Sequence, residues 1–129
     1  MRDIEKIKKE LSQYQMLLDS APAETGNPDL LANYLGQLNK AASRTSFMIA
    51  EVVKLKYTAM AAIQDKFSEL LAKMPPSAQK DYVKAHTADE NALMEWVVSL
   101  NETTKTQSKN IITMLSYEKQ QLVLERTGV

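Results

Sequence analysis

The chain has 129 residues, with sixteen basic and sixteen acidic side chains, one histidine and no cysteine. Zero net charge leaves no whole-molecule field to drive it onto nucleic acid or an anionic membrane, so an electrostatic partner must be met by a local patch. The lack of thiols excludes a disulfide framework and thiolate metal sites, and the length suits one domain over 1–129 whose core needs no staples.

The opening stretch MRDIEKIKKELSQ carries charges every few residues. It reads as neither a signal peptide nor a membrane span, and no later stretch approaches the roughly 20 apolar residues a span needs. A cytoplasmic protein is expected. Ile4, Ile7, Leu11, Tyr14 and Leu18 recur every three or four residues, which predicts a first helix with one apolar stripe. It should end before Ala21-Pro22, with a loop to Gly26.

Asn27-Pro28-Asp29 is a start signal: Asn caps, Pro is tolerated in the first turn, and Asp complements the positive end of the helix dipole. The stripe that follows runs Tyr34, Leu38, Ala41, Thr45, Met48, Val52, Leu55, Ala59, Ile63, Phe67, Leu70 and Met74. It predicts one helix of about 70 Å ending at Pro75-Pro76. Gly36 marks the expected bend or close helix contact. Ser77 should cap a short helix from Ala78 to His86, and Thr87 and Glu90 match a capping box for a last helix reaching Arg126. That helix has Leu93, Trp96 or Val97, Leu100, Thr104, Gln107, Ile111, Leu115 or Met114, Glu118 and Leu122 on its stripe, which is polar in its middle from Asn101 to Asn110.

These elements imply an all-α fold: an elongated antiparallel three-helix bundle with a helical-hairpin core of two long helices and one additional short helix. If the long helices are matched end to end, Leu70 lies near Leu93 and Val52 near Ile111. The first helix then puts Tyr14 near Tyr34 and Ile7 near Ala41. In that register Thr103, Thr104 and Gln107 face Lys56, Ala59 and Ala62. They form either a register-fixing polar layer or a ligand or partner contact.

Catalytic signals are lacking. His86 stands alone near a helix end, where a dipole contact or solvent exposure suits it better than catalysis. Asp89 and Glu90 read as first-turn charges rather than metal ligands. No Glu-x-x-His or phosphate-loop motif occurs. We therefore expect a non-enzymatic chain with no metal, no cofactor and no small-molecule substrate. Met48, Met60, Met74, Met94 and Met114 fit either adaptable core or a promiscuous groove. Trp96 is expected in the core, and would anchor a partner if exposed.

Charge is uneven. Lys40, Arg44, Lys54 and Lys56 face only Glu51 over 40–56, and Lys105, Lys109 and Lys119 face only Glu118 over 105–119. The expected register gathers Lys54, Lys56, Lys105 and Lys109 at mid-bundle beside Gln107, Ser108 and Asn110, a mixture suited to phosphate contacts. Tyr57 and Tyr117 are the nearby stacking candidates.

The layout of charged leading helix, long middle helix and closing segment TQSKNIITMLSYEKQQL resembles small helical proteins encoded by phages and mobile elements near recombination or replication genes. That resemblance implies an accessory role in nucleic-acid transactions, with Gln107, Ser108 and Lys109 as contacts. From the residues themselves the leading expectation is a helical interaction or assembly protein of coiled-coil character that binds a protein partner or itself as a homo-oligomer. The heptad-like spacing in all three main helices motivates it. DNA or RNA binding through the basic patch is the alternative.

Overall fold

The computed structural model describes residues 2–22 and 27–127, and among these five helices account for nearly every residue. They are α1 (Arg2–Asp19), α2 (Pro28–Lys66), α3 (Ser68–Ala72), α4 (Pro76–His86) and α5 (Ala88–Thr127). The loop expected up to Gly26 lies, from residue 23 on, outside the described residues. Asn27 caps α2 as its sequence requires, its side-chain oxygen accepting from the backbone N–H of Asp29 and Leu30 at 3.1 and 3.2 Å.

The hairpin of α2 and α5 is antiparallel, with α1 laid along it as the third helix of the bundle. Two apolar clusters fill it. In one, Ile7 and Leu11 of α1 meet Met48 and Val52 of α2 and Leu93, Val97 and Leu100 of α5. In the other, Leu31, Tyr34 and Leu38 surround Ile111, with Leu17, Leu18, Met114 and Leu115 packed against them. Trp96 is half-buried against the first cluster rather than standing free.

The register differs from the end-to-end match. Val52 packs with Leu93, Val97 and Leu100, and Ile111 packs with Tyr34. The slide of one long helix against the other is about 17 residues, near 25 Å at 1.5 Å per residue. Its cause is α4. That helix is not an appendage outside the hairpin but the first part of the returning arm, facing the last turns of α2 through Val83, Gln79 and Lys80. The reversal therefore falls in the short stretch between α3 and α4, about residues 73–75, and sets the register of everything after it. On the α1 side the slide is smaller: the Tyr34 hydroxyl donates to the Leu17 carbonyl at 2.8 Å, so Leu17 rather than Tyr14 is its neighbour.

Four local expectations are corrected as well. The second helix does not run unbroken to Met74, because Phe67 leaves helical dihedrals (φ −113°, ψ 26°) and separates α2 from α3. Its ring instead turns to Tyr82 and His86 of α4, with ring centroids 5.5 Å away in each case. Ser77 does not cap α4, which begins at Pro76 with no side-chain cap. The capping box at Thr87 does not form: the buried Thr87 hydroxyl donates back to the Val83 carbonyl at 2.9 Å, joining α4 to α5. Gly36 lies on an open surface, where an added Cβ would meet nothing within 4 Å, so no close helix contact requires it.

Candidate functional site

Between the two apolar clusters lies a polar layer built from Thr45, Asn101, Thr104 and Ser108, all buried. Asn101 reaches across from α5, its Nδ2 donating to the Ala42 carbonyl and the Thr45 hydroxyl at 3.0 Å each and to the Ser46 hydroxyl at 2.8 Å. Thr45 donates in turn to the Ala41 carbonyl at 2.7 Å. Thr104 and Ser108 donate to carbonyls one turn back at 2.9 Å. Among the described residues every buried side-chain nitrogen and oxygen has a partner. The layer thus closes on itself, which fits the register-fixing reading of the polar segment, with Asn101 as its cross-helix donor. Thr103 is exposed, and Lys56, Ala59 and Ala62 are not its partners.

The apolar α1–α2 contact is joined by an electrostatic clamp. The Arg44 guanidinium grips Glu10 with both arms, Nε to Oε2 at 2.6 Å and Nη2 to Oε1 at 3.2 Å, and reaches Glu51 through Nη1 at 3.2 Å. Tyr14 donates to the same Glu10 carboxylate at 2.8 Å. Hydrogen bonding to Arg44 holds the Glu10 carboxyl below its usual range, against the opposing pull of desolvation. Burial, helped by the bond to Glu10, pushes the Tyr14 phenol up to about 12. Arg44 is therefore occupied in holding α1 in place.

The lysines expected at mid-bundle form two separate groups. With Asn101 opposite Thr45, Lys54 and Lys56 lie toward α4 while Lys105 and Lys109 lie the other way, some 20–28 Å apart along the axis. Ser108 spends its hydroxyl inside the polar layer. Gln107 accepts from Asn110 at 3.3 Å, and Lys109 is exposed. His86 is exposed on α4, stacked on Tyr82 with centroids 4.3 Å apart and with Nδ1 3.0 Å from the Tyr82 carbonyl. Among the described residues no group of three or more His, Cys, Asp or Glu could hold a metal ion, and no helix is long and apolar enough to cross a membrane.

Two features at opposite ends remained hidden from the sequence because both depend on the register. At the hairpin end, α2, α3 and α4 enclose a half-open groove of about 760 Å³. Its floor includes Met60, Leu71 and Val83, and its wall carries Lys56, Lys80 and Lys84 without a single carboxylate. At the other end α5 overshoots. Ile111 sits opposite Tyr34, so residues beyond about 118 have no α2 residue opposite them, an extension of roughly 14 Å. Tyr117 (60% exposed), Leu122 (43%), Val123 (59%) and Leu124 (43%) lie on or beside it.

The class defined by this geometry is an elongated helical hairpin braced by a third helix. Compared with known protein families, curated proteins and solved structures, the chain matches none.

Proposed function

We propose that this chain is a non-enzymatic assembly protein that associates with copies of itself through the overshooting end of α5. The observation that carries the reading is the exposure of Tyr117, Leu122, Val123 and Leu124 on a helix that extends past the start of α2. A helical segment of about ten residues is marginal in water without tertiary packing. Clustered exposed apolar side chains mark contact surfaces on soluble proteins. Both conditions are relieved when a second protein surface covers the segment. Nucleic-acid binding is not carried forward as a second reading, since the lysines that motivated it are split and Ser108 is internally bonded.

Analytical ultracentrifugation over a micromolar to millimolar range tests the proposal. The wild-type chain should gain mass with concentration. Leu122→Gln with Leu124→Gln should keep its helicity and remain a monomer, because glutamine and leucine have similar helix propensity. A wild type that stays monomeric throughout that range would remove self-association.

A further inference from the structure

We infer that the overshooting end of α5 docks into the lysine-walled groove of a second copy, so that the molecules join head to tail. The inference rests on the self-association proposed above and adds the surface that receives it.

The two features match in chemistry. On α5, residues 117, 118, 121, 124 and 125 share one helical face by their spacing. That face carries Tyr117 and Leu124 together with Glu118, Gln121 and Glu125, whereas Lys119 and Arg126 fall on the opposite side. It is an acidic amphipathic strip. The groove is its complement, apolar at Met60, Leu71 and Val83 and cationic at Lys56, Lys80 and Lys84. Those three lysines make no ion pair among the described residues. Lys80 and Lys84 stand one turn apart on α4, spaced to flank a helix carrying carboxylates a turn or two apart.

The match is also one of size and place. The groove runs from Lys56 to Ala72 along one wall, about 24 Å, which accommodates the overshoot of roughly 14 Å. One molecule cannot satisfy both features itself: from Asn91 at the groove to Tyr117 is about 39 Å of straight α5. A contact between two different surfaces of identical chains is heterologous, so it propagates into an open chain or closes into a ring.

Charge reversal tests the docking. Lys80→Glu with Lys84→Glu makes the groove acidic, and Glu118→Lys with Glu125→Lys makes the strip basic. Circular dichroism should show both variants folded, because three of the four positions are exposed and the fourth, Glu118, is half-exposed. Glu125→Lys alone serves as a second variant should the change at Glu118 disturb the fold. Each double variant alone should associate at least about tenfold more weakly than wild type in sedimentation, and the mixture of the two should recover wild-type association. In the mixture each groove again meets a strip of opposite sign. If wild type associates but the Lys80/Lys84 variant associates equally well, the groove assignment is overturned while self-association stands. If wild type is monomeric at every concentration, both readings fall together.

Discussion

Asn101 offers the sharpest test of the fold, because its partners exist only in the observed register. Replacing it by alanine removes three hydrogen bonds made by one amide group with two N–H donors, to Ala42, Thr45 and Ser46. At about 1 kcal/mol net per donor, with a small contribution from the void left behind, the expected loss is about 2–3 kcal/mol. For a domain of this size that lowers the melting temperature by roughly 5–15 °C. A double-mutant cycle with Thr45→Ala isolates the cross-helix bond, and urea titrations followed by circular dichroism should return a coupling near 1 kcal/mol. In the end-to-end register Asn101 would instead oppose Ala62, far from Thr45. A coupling indistinguishable from zero, or a loss under about 0.5 kcal/mol for Asn101→Ala, would refute both the polar layer and the register. Asn101→Leu separates stability from specificity. If the layer mainly fixes register, this variant should keep most of the wild-type stability, while its N–H exchange protection or sedimentation should report more than one packing arrangement.

Gly36→Ala should stabilise the chain by about 1 kcal/mol, seen as a raised urea midpoint at unchanged slope, since the new methyl meets open space and the helix loses its most flexible residue. Glu10 has a depressed pKa, so its stabilising contribution is present above the ordinary carboxylate value of 4.5 and is lost as pH falls through its folded value. Glu10→Gln should therefore cost about 1 kcal/mol at neutral pH, after allowance for solvent screening at a half-exposed pair, and flatten the decline of melting temperature in acid. Tyr14 behaves in the opposite sense. Its raised pKa gives stability that is intact below pH 10 and lost as pH climbs toward about 12, and Tyr14→Phe should delete one late step from the tyrosinate absorbance titration.

Much of the architecture is legible in the residues themselves. The three-and-four spacing of Ile4, Ile7, Leu11, Leu18 and of Leu38, Thr45, Met48, Val52 identifies the inward faces, and the Asn27-Pro28-Asp29 start appears where those residues place it. Helical periodicity and capping are local, so a sequence records them directly. The segment between Phe67 and Thr87 is different. Its prolines announce an interruption but not whether α4 lies outside the hairpin or inside its returning arm, and that choice moves the two long helices by about 17 residues against each other. The lysine cluster expected at mid-bundle depended entirely on that choice and comes apart with it. The polar run from Asn101 to Asn110 marks a layer, yet only the tertiary register selects Asn101, Thr104 and Ser108 as its buried members and gives Asn101 the Ala42 carbonyl, Thr45 and Ser46 as partners. The same slide exposes the end of α5 and leaves the lysine-walled groove at the opposite end. A one-dimensional pattern fixes which face of a helix turns inward; how far two such faces slide past each other is decided by long-range packing of their side chains, which no local spacing encodes.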